Sequence, residues 1–237
     1  MNVWQEDLLN LLTVPAACVQ DVFACVQKVA QALGFDHVAY GFQASYPVTR
    51  PCITQLNNYP KAWQEHYAKV GYLYIDPTVA HARKSQTPLL WSERTFAKAP
   101  GLWTDARDHG LNVGWAQSSL DGMGSGSMLT LCRSKDPLTP KELLAQEQHM
   151  RWLVQVTHVS CSRVLVKEAT DALPQLSRRE LEVLKWTADG KTAQDIADIL
   201  ALSKHAVDFH LKNVVNKLQV SNKTSAVARA ALNGLLA

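Results

Sequence analysis

The stretch Leu176–Leu236, LSRRELEVLKWTADGKTAQDIADILALSKHAVDFHLKNVVNKLQVSNKTSAVARAALNGLL, decides how the rest of the chain is read. Ser177, followed three places on by Glu180, predicts a capping box: the hydroxyl takes one orphan N–H of a first helical turn and the carboxylate reaches back to another. Thr192, Ser203 and Asn222 stand where three further helices begin, because a short oxygen-bearing side chain accepts from the N–H groups a helix leaves unpaired. Gly190 and Gly234 fall where a left-handed residue closes a helix. Apolar residues follow at helical spacing: Leu181, Leu184 and Ala188; Ala193, Ile196, Ala197 and Leu200; Val207, Leu211, Val214 and Leu218. Only Ala201 and Leu202 separate the second run from the cap of the third, so those helices meet at a tight corner. The outline is a helix-turn-helix.

The third helix says what the outline is for. Its inner face is Val207, Leu211, Val214 and Leu218, and its outer face carries His205, Asp208, Lys212 and Asn216. Side chains of these types reach base edges in a major groove. His210, Asn213 and Lys217 form a neighbouring stripe suited to phosphate oxygens, with Lys191, Lys204 and Lys223 near helix N-termini. One such helix alone reads better as a solvated amphipathic helix with ordinary charges. Four capped helices in this order favour DNA.

This segment resembles the C-terminal domain of LuxR-type regulators, on Glu180, Leu184, Gly190, Lys191, Thr192, Ile196, Ala197, Val207, His210, Leu211, Lys217 and Leu218. The resemblance implies a four-helix helix-turn-helix domain with DNA contacts from Lys191, Thr192, Lys204, His205, Asp208, His210, Lys212, Asn213, Asn216, Lys217 and Lys223. One position departs from it. Members often carry a basic residue where Asp208 stands, and an aspartate accepts from cytosine N4 but repels phosphate.

At 237 residues the chain suits two modest domains. Its 47% hydrophobic and 19% charged content is that of a folded protein, which excludes a disordered chain. From Pro174 onward, nine basic residues face six acidic ones, which accounts for the whole net charge of +3. That modest excess on the DNA-binding segment favours a dimer over a monomer. Cys18, Cys25, Cys52, Cys132 and Cys161 lie far apart with no Cys-x-x-Cys, so reduced thiols are expected and metal or redox chemistry is not. No apolar run approaches a membrane span, and Glu6 and Asp7 stand where a leader would be basic, so a cytoplasmic protein with no membrane partner is expected.

Ahead of the helix-turn-helix, helices are predicted over about Val3–Leu12 and Ala17–Leu33, and strands over His37–Phe42 and Ile53–Leu56. A helix with Pro60 at its first position runs to Gly71, Asp76-Pro77 opens a short one, and Pro88–Trp91 is strand-like. A helix over Leu102–His109 precedes two strands, Val113–Leu120 and Ser127–Cys132, around a glycine-rich hairpin loop. Thr139-Pro140-Lys141-Glu142 reads as a capping box opening a long helix to about Val166. Residues 167–175, with Pro174, read as a linker, giving domains 1–166 and 176–237. Irregular alternation with one clear hairpin makes the front domain α+β.

Several chemistries fail on spacing. Gly122, Gly124 and Gly126 lack the helix and Lys-Ser/Thr of a phosphate loop. Ser125 has glycines immediately beside it and does not fit a Gly-x-Ser-x-Gly elbow. His37, His66, His81 and Asp76 offer no metal-ligand spacing. A phosphate receiver would open on a strand ending in an acidic pair, and this chain opens on helices.

What remains is Tyr59, Trp63 and Tyr67 at i, i+4 and i+8, with Asp76-Pro77-Thr78 and Trp91. These aromatics read as core, or as an apolar pocket whose polar tips and one carboxylate await a small amphiphile. Tyr59-Pro60-x-x-Trp63, Tyr67, Asp76-Pro77, Trp91, Gly110 and the strand Ser127–Leu131 resemble the autoinducer domain of LuxR-type quorum-sensing receptors. With the C-terminal match, the resemblance spans nearly the whole chain.

It implies an α/β/α sandwich around an antiparallel sheet enclosing an N-acyl-homoserine lactone, with no cofactor and no enzymatic activity. Trp63 would donate to the lactone carbonyl, Asp76 accept from the amide N–H, and Tyr59 donate to the acyl carbonyl, with Thr130 serving that same carbonyl. Trp91, Tyr67 and Thr78 would wall the head group, and Ala39 and Gly41 would flank the tail. Gln64 stands where some members have Arg, which bears on 3-oxo preference. The implied partners are a second copy of the chain, a two-fold operator and RNA polymerase. The alternative is a LuxR-type regulator that answers a different small molecule or none.

Overall fold

The computed structural model describes residues 3–13, 18–122, 124–171 and 175–236. The chain divides into two compact units, one of Met1–Ala44 with Ile53–Leu165, the other of Ser45–Cys52 with Val166–Ala237.

In the first unit, helices α1 (Val3–Thr13) and α2 (Val19–Ala32) precede strands β1 (His37–Gln43) and β2 (Ile53–Asn57). There follow α3 (Lys61–Val70), a 3₁₀ turn Tyr72–Tyr74, α4 (Pro77–Ala82), β3 (Leu89–Leu90) and α5 (Pro100–Asp108). Strands β4 (Val113–Leu120) and β5 (Gly126–Arg133) and the long helix α6 (Pro140–Asp171), as far as Leu165, complete it. The five strands form one antiparallel sheet in the order β2-β1-β5-β4-β3.

Directly opposed residues share a face, so the register sorts the sheet into two surfaces. Tyr40, Leu129 and Gln117 lie in one row, with Val38, Leu131 and Trp115 in the next. This face meets α6, where Ser127 Oγ lies 2.9 Å from His158 Nδ1 and Ser119 Oγ donates to Gln155 at 3.1 Å. The opposite face carries Ala39, Thr130 and Ala116, then Gly41, Met128 and Ser118. It is covered by α3, α4 and α5, whose buried cluster includes Trp63, Tyr72, Leu102, Leu111 and the β5 residue Cys132. The architecture is the α+β sandwich expected.

Several boundaries differ from those the sequence suggests. Pro60 is the N-cap of α3 rather than its first residue, and α5 starts at Pro100, where a missing N–H costs nothing. The strand-like Pro88–Trp91 pairs over only two residues, although Trp91 N–H still donates to Gly114 O at 2.8 Å. Helix α6 continues to Asp171, into the stretch read as linker, because nothing before Pro174 breaks a helix. Its capping box is half-formed. Thr139 Oγ1 accepts from Glu142 N–H at 3.2 Å, but the Glu142 carboxylate is taken in a fork by Arg133 at 2.7 and 2.8 Å. A bidentate ion pair outcompetes a single backbone N–H. Ala17 and Met123 lie outside the described residues.

The second unit holds α7 (Arg178–Ala188), α8 (Ala193–Leu200), α9 (Lys204–Lys217) and α10 (Lys223–Leu232). All four N-caps fall where their side chains predict. Ser177 forms the full capping box with Glu180, and Thr192 forms a second one with Asp195, which the sequence reading did not include. Ser203 accepts from Ala206 N–H, and Asn222 from Ser225 N–H. Val183, Ile196, Ala197 and Val207 form one buried cluster, and Leu184, Val214, Leu218, Ala226 and Ala230 another. Gly190 and Gly234 adopt left-handed backbone as expected, and so does Ala201 at the corner between α8 and α9 (φ +51°).

Candidate ligand cavity and candidate nucleic-acid interface

A cavity of about 790 Å³ lies on the α3–α4 face of the sheet. Of the residues singled out in the front domain, Ala39, Tyr59, Trp63, Tyr67, Asp76, Thr78, Trp91 and Thr130 line it. The size suits a drug-sized or lipid-like molecule. Thr130 stands between Ala39 and Ala116 across the sheet, with small neighbours on both sides. Gly41 continues the floor beyond Ala39, and Gln64, also at the cavity, donates to Tyr59 O at 2.8 Å and so ties down the approach to α3.

Asp76 is the N-cap of α4 and the polar centre of this end. Its Oδ1 accepts from Thr78 N–H at 2.8 Å and Thr78 Oγ1 at 2.6 Å; Oδ2 accepts from the Tyr67 hydroxyl at 2.9 Å. Oδ1 thus carries the cap, and Tyr67 takes one of the two acceptor positions of Oδ2. Burial pushes the Asp76 carboxyl above its ordinary range, against the bonds from Thr78, Tyr67 and the Val79 backbone N–H. Burial likewise raises the Tyr59 and Tyr67 hydroxyls, which stay protonated donors.

The aromatic wall is built ring on ring. Trp63 meets Tyr67 edge-on at 5.6 Å and stacks on Tyr72 at 6.1 Å. Trp91 meets Phe96 and Trp103 edge-on at 5.7 and 6.4 Å, and its indole N–H is buried without a protein acceptor. Among the described residues, no group of three or more His, Cys, Asp or Glu is placed to hold a metal ion.

In the second unit, His205, Asp208, Lys212 and Asn216 are all exposed on one face of α9, with Lys191, Thr192, Lys204 and Lys223 exposed around it. His210 and Asn213 are half-buried at its side. Two details modify the sequence reading. The Thr192 hydroxyl is spent on Asp195 at 2.8 Å. The Lys217 ammonium is held by Glu180 at 2.7 Å and by Gln175 O at 3.0 Å, which ties α9 to the start of α7 instead of leaving it toward solvent. Sequence reasoning also passed over Phe209, which is 56% exposed. It lies opposite the buried Val207 and Val214, beside Asn216 on the outer face, an angle that helical spacing alone supplies.

Two family models match this chain in succession: the autoinducer binding domain over residues 19–160, and bacterial regulatory proteins of the luxR family over residues 174–230. The chain belongs to the LuxR family of transcriptional regulators. Over its full length it is 44% identical to the transcriptional activator protein AnoR of Acinetobacter nosocomialis, covering 100% of both chains. The quorum-sensing regulator RhlR of Pseudomonas aeruginosa is 35% identical, covering 99% of this chain and 97% of RhlR. Among solved structures, SdiA in complex with octanoyl-rac-glycerol is 32% identical, with a TM-score of 0.82 over 98% of this chain and 95% of that one. The N-acylhomoserine lactone dependent CepR2 of Burkholderia cenocepacia is 26% identical, with a TM-score of 0.62 over 68% of this chain and 95% of that one. As a LuxR-family member the chain joins an autoinducer-binding domain to a DNA-binding helix-turn-helix, and its relatives are regulators rather than enzymes. No described helix is long and apolar enough to cross a membrane.

Proposed function

We propose that this LuxR-family chain is a quorum-sensing transcription factor that binds an N-acyl-homoserine lactone in the sheet cavity and, as a dimer, binds a two-fold operator. The observation that carries the lactone reading is the remaining acceptor position on Asp76 Oδ2, in a cavity shared with Tyr59, Trp63 and Thr130. An amide N–H flanked by two carbonyls answers that arrangement: Asp76 accepts from the amide, Trp63 donates to the lactone carbonyl, and Tyr59 and Thr130 serve the acyl carbonyl. Trp91, Tyr67 and Thr78 close around the ring, and Ala39 and Gly41 leave room for the chain. Buried ligand completes the front unit's core and stabilises it by mass action.

On DNA, His205, Asp208, Lys212 and Asn216 read base edges, while Lys191, Lys204, His210, Asn213 and Lys223 serve the backbone and Thr192 serves to cap α8. Phe209 adds an apolar contact of the kind a thymine methyl offers. Lys217 serves chiefly to hold α9 on α7. The domains are residues 1–166 and 176–237, the site of action is the cytoplasm, and RNA polymerase is the downstream partner.

The SdiA complex supports a second reading, since octanoyl-glycerol offers hydroxyl donors in place of an amide N–H. Soluble yield and thermal midpoint, measured with short- and long-chain N-acyl-homoserine lactones and with octanoyl-glycerol, separate the two. A rise with at least one lactone, and ligand-dependent binding to a two-fold DNA site, is the expected result. Stabilisation by octanoyl-glycerol alone would establish the second reading.

A further inference from the structure

Behind Trp63, on the side away from the cavity, one carboxylate oxygen gathers two elements onto a third. Asp105 Oδ2, on α5, accepts from the Tyr72 hydroxyl at 2.6 Å and lies 2.5 Å from His66 Nε2 on α3. The Asp105 carbonyl lies 2.7 Å from His109 Nδ1; a carbonyl only accepts, so His109 carries its proton there. The same reasoning puts a proton on His66 Nε2. The Tyr72 and His66 hydrogen bonds hold the Asp105 carboxyl below its ordinary range, so it stays an anion and an acceptor.

The rings these bonds fix are those against which Trp63 rests. His109, Tyr72 and His66 lie 5.4, 6.1 and 6.3 Å from the Trp63 indole, and His66 and His109 stack on each other at 5.8 Å and 18°. Trp63 is 4% exposed and lines the cavity. Asp105, His66, Tyr72 and His109 do not line it.

We infer that Asp105 is a positioning residue for ligand recognition, acting through Tyr72, His66 and His109 on the angle at which Trp63 meets the bound head group. A hydrogen-bonding indole tolerates little rotation, because the bond weakens steeply as its angle closes. The ionised carboxylate matters because a charged acceptor holds each of its two donors roughly twice as strongly as a neutral oxygen would.

The test is a double-mutant cycle on the full chain, read as the dose–response of operator-reporter activation by the most active lactone of the panel. Asp105→Asn keeps the shape but replaces the shared charged acceptor, and it should shift the response about tenfold. In a Trp63→Phe background the same substitution should add less than about twofold. Thermal midpoints without ligand locate any general loss of stability, and if Asp105→Asn does not accumulate, Tyr72→Phe removes one arm of the same cluster with the same expected coupling. An Asp105→Asn shift that persists in full in the Trp63→Phe background, or no shift at all, overturns the inference. It rests on the lactone reading above, and the two fail separately. A response indifferent to Trp63→Phe overturns both; one weakened by Trp63→Phe and indifferent to Asp105→Asn overturns this inference alone.

Discussion

Trp91 and Gly114 occupy each other's space: a Cβ added at Gly114 would lie within 2.6 Å of three atoms of the Trp91 indole. The Trp91 backbone N–H donates to the Gly114 carbonyl at 2.8 Å, which holds Trp91's backbone against the strand that its ring covers. In most strands Gly→Ala is favourable; here the methyl must displace a cavity wall. Gly114→Ala should lower the unfolding free energy by about 1–3 kcal/mol and weaken ligand response. Adding Trp91→Phe, which frees space, should recover part of the stability. A Gly114→Ala protein as stable as its parent would show that Trp91 moves aside freely.

Lys217 tests whether a basic residue near DNA is a phosphate contact or a strut. Its partner Glu180 is 4% exposed, and burial pushes that carboxyl up, but the bonds from Lys217 and Ser177 outweigh burial and hold it below its usual range. A carboxyl depressed in the folded state contributes stability above its unfolded pKa and loses it as pH falls through the folded one. Lys217→Met should therefore cost about 1–3 kcal/mol near neutrality and flatten the acid dependence of the second unit's unfolding transition. Unchanged stability with a reduced salt dependence of DNA binding would return Lys217 to the phosphate role.

Ala201 turns the corner between α8 and α9 in left-handed backbone (φ +51°), where its methyl costs about 1–2 kcal/mol and glycine's added freedom when unfolded returns part of it. Ala201→Gly should raise the second unit's stability by about 0.5–1 kcal/mol, read from thermal or denaturant midpoints. A loss of stability would contradict the strain argument.

On DNA, Lys212→Ala should cost about 1–3 kcal/mol and relax preference at one position per half-site. Lys191→Ala should weaken all sequences alike and reduce the salt slope. Phe209→Ala should lose affinity only while its thymine keeps the methyl, so uracil substitution in the operator should abolish its effect. Equal, sequence-independent losses from all three would place the reading face elsewhere.

What could be read from the sequence was what short-range chemistry determines. Ser177, Thr192, Ser203 and Asn222 cap helices because each needs only a backbone N–H within one turn. The i, i+4, i+8 aromatics and Asp76 reached one cavity because α3 and α4 are adjacent in the chain. Interactions between distant residues did not announce themselves. Glu142 turned from its cap to Arg133, Lys217 reached back to Glu180, and His66 met Asp105 across 39 positions. Strand order, which sets Thr130 beside Ala39, needs the register itself. Phe209 was legible by angle and missed because an apolar side chain suggests core.

The central claim is that Asp76 selects a ligand bearing an N–H, and Asp76→Asn tests it most directly. Asparagine keeps an oxygen for the Thr78 cap, so α4 should survive, but it puts an NH₂ group where Oδ2 now accepts. Losing a charge-assisted bond costs about 1.5–3 kcal/mol. The lactone dose–response of the full chain should shift at least about tenfold, while DNA binding by its helix-turn-helix stays intact. A response that does not shift would leave Asp76 as a helix cap alone and contradict the account.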